Sequence, residues 1–108
     1  MSAQFVYITC KDNEEAEHIG RQLLESRLVA CVNILDGMRS MYRWEGEIRQ
    51  DNETVLIAKT RQARVEAVVA KVKQIHSYDC PCVVSLSVVG GNTEFLEWVL
   101  NETGFESR

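Results

Sequence analysis

Residues 30–60 read ACVNILDGMRSMYRWEGEIRQDNETVLIAKT, two β-compatible runs joined at Glu45-Gly46. Val32, Ile34, Met38, Met41, Tyr42 and Trp44 precede the turn, and Ile48, Val55, Leu56 and Ile57 follow it. Gly46 supplies the positive φ that a tight hairpin connection needs. The first arm, about 15 residues at ~3.3 Å each, spans roughly 50 Å when extended. A compact chain of about 100 residues has a radius of gyration near ~13 Å and a body about 34 Å across. Either bulges break the ribbon or its tip projects past its own domain. Met41, Tyr42 and Trp44 near the tip favour a projecting ribbon that another subunit covers.

The flanking segments supply the rest of one domain, residues 1–108. Gln4 to Cys10 (QFVYITC) is a β-branched and aromatic run, the first strand. Asp12 with Glu15 three residues on has the form of a capping box, and Ala16, Ile19, Leu23, Leu24 and Leu28 continue it at helical spacing. Gly20 inside that stripe lets the helix approach the sheet closely. A second helix starts near Gln62 with Val65, Val68, Val69, Val72 and Ile75 as its apolar stripe, and ends before Pro81. Cys82 to Val89 (CVVSLSVV) is the fourth strand, and Asn92 or Thr93 caps a last helix carrying Phe95, Leu96, Val99 and Leu100. The order predicts an α+β, ferredoxin-like β-α-β-β-α-β fold with a C-terminal helix and a long β2–β3 hairpin. Apolar residues occupy both alternations of strands three and four (Val55 and Leu56; Val83 and Val84), so both sheet faces are expected to be covered. A partner sheet from an identical subunit meets that need.

Composition excludes several classes. The 108 residues are 45% hydrophobic and 26% charged, with a net charge of −4, which is globular composition. A pI near 5.2 argues against a phosphate-backbone partner, so no nucleic acid is expected. The opening MSAQFVYITC has no basic stretch before a long apolar run, and no apolar run reaches ~18 residues, so neither a signal peptide nor a membrane span is expected. These readings lead to a cytoplasmic protein with free thiols at Cys10, Cys31, Cys80 and Cys82, expected as small buried hydrophobes.

Five ordered segments carry a family resemblance: Ala30-Cys31-Val32-Asn33, the run Tyr42 to Ile48 (YRWEGEI), Lys59-Thr60, the run His76 to Pro81 (HSYDCP), and Phe95-Leu96-Glu97-Trp98. In order and spacing they are similar to the CutA divalent-cation tolerance proteins, from about Phe5 to Glu102. The resemblance implies a homotrimer whose hairpins pair between subunits and whose sheets pack about a three-fold axis, a trimeric PII-like assembly. It also implies a link to tolerance of copper and other divalent metals. The chain departs from the family at Ser77, where the family has proline. Of the copper ligands proposed in bacterial members, the strand-one cysteine falls on Ile8 and the histidine pair on Ile75 and His76. Cys10, two residues past Ile8, lies on the same strand face. His76 and Cys10 are therefore the metal candidates.

Lys59 lies inside the apolar run Val55-Leu56-Ile57-Ala58 and has to reach water, a carboxylate or a ligand. With Asn33, Tyr42, Trp44, His76 and Tyr78 it forms a candidate inter-subunit cleft suited to a small anionic ligand. The plainer alternative pairs Lys59 with Glu47 or Asp79 in a salt bridge. His76, ending the second helix, reads either as a cap with structural hydrogen bonds or as a ligand. His18 reads as solvated. Cys80-Pro81-Cys82 can present two thiols to a soft ion, or bury them. No nucleophile–base pair, paired carboxylates or glycine-rich phosphate loop is evident, so no catalytic residue and no enzyme activity is expected. The leading reading is a CutA-like homotrimer tied to tolerance of copper or another divalent metal. The alternatives are a PII-like trimer that binds an anionic metabolite or a protein partner, and a thiol-dependent metal carrier using Cys80 and Cys82.

Overall fold

A computed structural model describes residues 2–104. Strand β1 (Ala3–Cys10) lies inside a four-stranded antiparallel sheet of order β2-β3-β1-β4, with β2 Cys31–Trp44, β3 Glu47–Arg61 and β4 Val83–Ser87. Three helices complete the chain: α1 (Asn13–Glu25), α2 (Val65–Ile75) and α3 (Thr93–Glu102). This is the predicted α+β class and element order, with the C-terminal helix. No helix among the described residues is long and apolar enough to cross a membrane.

Strand alternation divides the apolar residues between two faces. Val6, Ile8 and Cys10 of β1 and Leu56 and Ala58 of β3 face α1 and α2, where they bury with Ala16, Ile19, Leu23, Val68 and Val72. Each fully buried Ile, Leu or Val there contributes about 1.5–3 kcal/mol. Asp12 caps α1 as predicted, its Oδ1 accepting the Glu15 N–H at 2.9 Å. A Cβ on Gly20 would lie 3.1 Å from Val32 Cγ2, so the bare backbone is what brings α1 onto β2. Two boundaries differ from prediction. Residues Gln62–Arg64 form a 3-10 turn before α2, because Arg64 and the residues ahead of it carry no side-chain cap for an α-helical start. β4 ends at Ser87, and Val89 lies in the open.

The opposite, open face carries Phe5 and Tyr7 of β1, Asn33 and Leu35 of β2, Ile57 and Lys59 of β3, and Val84 and Leu86 of β4. Helix α3 covers part of it. Its Val99 is fully buried, and Arg61 donates to the Leu100 carbonyl and to Thr103 Oγ1. The remainder stays exposed within one protomer, so the expectation of two covered faces is met on the helix side and only partly on this one.

Both outcomes foreseen for the ribbon occur. A register shift between Leu35 and Met38 marks a bulge at Asp36-Gly37, with Gly37 at φ 78°. Beyond Thr54 the hairpin has no third strand, because β1 ends at Cys10 opposite Thr54. The two-stranded arm carries Met41 and Ile48 at its tip, 70% and 67% exposed, and the protomer is 46 Å in its longest dimension. Glu45 (φ 50°) and Gly46 (φ 80°) both take left-handed conformations, the two central positions of a type I′ turn.

Candidate functional site

Helix α2 stops at Ile75, and His76 turns the chain into extended backbone (φ −78°, ψ 148°). Its imidazole, fully buried, folds against the end of β1. Nε2 lies 2.8 Å from the Thr9 carbonyl oxygen, and Nδ1 accepts the Tyr78 N–H at 3.0 Å. An acceptor at Nδ1 requires the ring proton on Nε2, so His76 is the neutral tautomer donating to Thr9.

Glu15 closes the other side of this loop. Its Oε1 accepts the Lys11 N–H at 2.9 Å and its Oε2 the Ser77 N–H at 2.7 Å, while Oε2 stands 3.7 Å from His76 Nδ1. Burial pushes its carboxyl upward, but hydrogen bonds from the Lys11 and Ser77 N–H groups outweigh it and hold the group below the usual glutamate value. Cys10 reaches the same spot from β1. Burial first, then the negative charges of Glu15, Glu53 and Asp12, push its thiol up to about 12.

The donor atoms of Cys10, Glu15 and His76 all lie within 4.8 Å of one another. Sulfur, carboxylate oxygen and imidazole nitrogen are donor types that suit a borderline divalent ion such as Zn(II) or Cu(II). As folded, each donor is engaged: the thiol keeps its proton, both ring nitrogens have partners, and both carboxylate oxygens accept backbone N–H groups. The sequence pointed to Cys10 and His76 but gave Glu15 only a capping role. Its pattern after Asp12 is the same whether the side chain reaches back to the helix start or, as here, also across to Ser77.

Tyr78 joins this cluster to the ribbon. Its hydroxyl donates to Glu53 Oε2 at 2.9 Å, and Ser40 Oγ donates to Glu53 Oε1 at 2.6 Å. Burial and the Glu53 carboxylate hold the Tyr78 phenol well above its ordinary value. The Tyr78 ring lies 4.8 Å from that of His76.

The six expected cleft residues therefore occupy three places in one protomer. His76 and Tyr78 stand at the end of β1. Lys59 and Asn33 are hydrogen-bonded on the open face, with the ammonium 5.3 Å from the Phe5 ring centroid and 5.7 Å from that of Phe95. Tyr42 and Trp44 sit out on the ribbon, where the Tyr42 hydroxyl bonds Asp51. The alternative salt bridge from Lys59 to Glu47 or Asp79 does not form, since Glu47 is at the ribbon tip paired with Trp44. A groove of about 650 Å³ between the start of α1 and the bulge, lined among others by Lys11, Asp36 and Arg39, contains none of the six. Cys80 and Cys82 are exposed, not buried as expected, because the loop before β4 runs outside the core. His18 is exposed, as expected.

The family model for the CutA1 divalent ion tolerance protein matches residues 4–102. This chain belongs to the CutA1 family. It is 41% identical over 101 residues to the divalent-cation tolerance protein CutA of Thermus thermophilus, covering 94% of this chain and 98% of that protein. It is 40% identical over 98 residues to the chloroplastic protein CutA of Arabidopsis thaliana, covering 91% of this chain and 54% of that protein. The chain thus spans about half the length of the plant relatives it matches, which are 54% and 55% covered. Among solved structures, the periplasmic divalent cation tolerance protein CutA from Archaeoglobus fulgidus superposes with a TM-score of 0.91 at 40% identity, covering 94% of this chain and 99% of that one. CutA1 is a divalent-ion tolerance family and not a known enzyme family. The chloroplastic and periplasmic names of these relatives overturn the cytoplasmic expectation. That expectation rested on composition and the opening residues, neither of which fixes a compartment.

Proposed function

We propose that this CutA1 member works as a ring of three copies that takes part in tolerance to divalent metal ions, copper among them, without catalysing a reaction. The observation that carries the ring is the two-sided charge of the ribbon. Register puts Tyr42, Trp44, Glu47, Asp51 and Glu53, with Arg49 as the one cation among them, on the side continuous with the open sheet face. Arg39, Met41, Arg43 and Ile48 take the other side. A ribbon whose front complements its own back favours head-to-tail contacts, which close into a ring when the rotation between copies closes. The open face, with Leu86 at 56% and Leu35 at 54% exposure, adds apolar area for a neighbour to cover. The number three is what the family resemblance implies.

For the metal, the supporting observation is the sulfur, oxygen and nitrogen set of Cys10, Glu15 and His76. These three residues would hold the ion. The thiol proton has to leave and the Tyr78 N–H has to release Nδ1, so loading is favoured by rising pH.

Light scattering during gel filtration tests the ring. The parent is expected at three times the chain mass, and Arg39→Glu with Arg43→Glu at lower mass; a parent of single-chain mass sinks the ring. Calorimetric titration with Cu(II) and Zn(II) tests the metal. Saturable binding lost in Cys10→Ser and in His76→Ala is expected, and saturable binding unchanged by both variants, or none at all, removes these ligands.

A further inference from the structure

We infer that the groove between the first turn of α1 and the end of α2 is the port by which a divalent cation reaches Cys10, Glu15 and His76, with Glu14 and His18 holding the hydrated ion at its mouth. The inference rests on the metal reading proposed above. The donor set is closed to solvent on its own account: Cys10 and the His76 side chain are fully buried, and only Glu15 keeps a margin, 7% of its side chain. That margin belongs to a groove of about 380 Å³ lined by Lys11, Glu14, Glu15, His18 and Ser77 among others. Glu15 is common to the groove and the donor set, and neither Cys10 nor His76 reaches the groove. Its oxygens are held by the N–H groups of Lys11 and Ser77, which also line the groove, so its carboxylate is the partition that an incoming ion has to pass.

Glu14 and His18 stand four residues apart on the outer face of α1, a spacing that puts their Cβ atoms about 5–6 Å apart. Both are exposed, and unlike the buried donors neither side chain has a hydrogen-bond or ion-pair partner among the described residues. They offer a carboxylate oxygen and an imidazole nitrogen, donors that suit a borderline divalent ion. Asp12, Glu14 and Glu15 face the groove against the ammonium of Lys11, and this excess of negative charge raises the local concentration of cations. An octahedral shell of about six waters occupies roughly 180 Å³ at ~30 Å³ each, so a hydrated ion fits the groove and sheds water as these donors replace it. The groove opens beside α1 and α2, on the side of the sheet opposite the open face, and the ring leaves that side to solvent.

Two readouts separate the mouth from the buried set. In a Cys80→Ser, Cys82→Ser background, Co(II) standing in for Zn(II) gives a thiolate-to-cobalt charge-transfer band when it reaches Cys10, and the growth of that band is followed after rapid mixing. The band is expected to be absent in Cys10→Ser. Glu14→Gln with His18→Ala, both on the outer face, is expected to slow its growth several-fold and leave its final amplitude unchanged. The chain has two histidines, so the His18 ring protons are resolved by NMR and assigned from His18→Ala. Zn(II) is expected to shift them saturably in Cys10→Ser, and in the parent beyond the first equivalent. A band that grows at the parent rate in the double variant, or His18 protons that Zn(II) leaves unmoved, overturns the port while the buried set stands. A His18 shift with no band in the parent overturns the buried set and the passage to it together.

Discussion

The carboxylate of Glu15, in the first turn of α1, accepts the backbone N–H of Ser77 at 2.7 Å, across 62 residues of chain. One buried side chain thereby ties the start of a helix to the loop that carries His76 and Tyr78. Its bonds favour the anion, so the folded pKa lies below the unfolded value of about 4.3. The stabilisation is fully present above that unfolded value and is lost as pH falls through the lower folded one. Glu15→Gln is expected to lose about 1–3 kcal/mol at neutral pH, with the gap from the parent narrowing below about pH 4. Urea unfolding at both pH values checks this, and a gap that does not change with pH would assign the role to shape instead of charge.

Tyr78 links that loop to the root of the ribbon through Glu53, which also accepts from Ser40. Tyr78→Phe keeps the ring against His76 and deletes one charge-assisted bond, at a cost of about 1–2 kcal/mol. Amide exchange followed by mass spectrometry should quicken around Ser40 and Glu53 while β1 stays protected. Unchanged exchange there would mean that the ribbon is held by its own ladder alone.

At the ribbon tip, Glu45 holds φ 50° with a side chain that disfavours it. Asparagine tolerates this conformation and forms the preferred Asn-Gly pair of a type I′ turn. Glu45→Asn is expected to raise stability by about 0.5 kcal/mol, and Gly46→Ala to lower it by about 1 kcal/mol. Denaturant midpoints that move in the same direction for both variants would contradict the turn assignment.

The thiols should separate by reactivity. Cys80 is exposed, whereas Cys10 is buried with its thiol pushed up to about 12. A disulfide reagent at mildly alkaline pH is expected to modify Cys80 first and Cys10 only once the chain unfolds. Cys80→Ser combined with Cys82→Ser should remove modification of the folded protein's exposed thiols, and Cys10→Ser should leave it. Rapid modification of Cys10 in the folded protein would disprove its burial.

Much of this architecture was legible because it is local. Caps at Asp12 and Asn92, the helical stripes, the alternation of the strands and the turn at Gly46 are each readable within a dozen residues. The site was legible in parts. Cys10 and His76 were picked out from a family pattern, but their meeting with Glu15 joins three elements distant in sequence, which periodicity does not report. Tyr42 and Trp44 are grouped with Lys59 in a cleft between copies, and within one protomer the ribbon carries them away from it. The bulge did leave a trace, a glycine within a strand pattern at Gly37, of the kind that marks such insertions.

The extra residue at Asp36-Gly37 sets the parity of the ribbon. Odd-numbered residues of β2 face outward up to Leu35 and even-numbered ones from Met38 onward, whereas β3 keeps odd numbers throughout. Deleting Gly37 would restore plain alternation, with Leu35 and Met38 still on the front, so the faces would hold and only the bend would go; a ladder that instead took in both Asp36 and Gly37 without a bulge would send Met38, Tyr42 and Trp44 to the reverse and bring Arg39, Met41 and Arg43 round to the front. One unpaired residue thus separates two ribbons of identical composition, and a library of single-residue insertions and deletions in this loop-free stretch would map which frame the rest of the molecule can use.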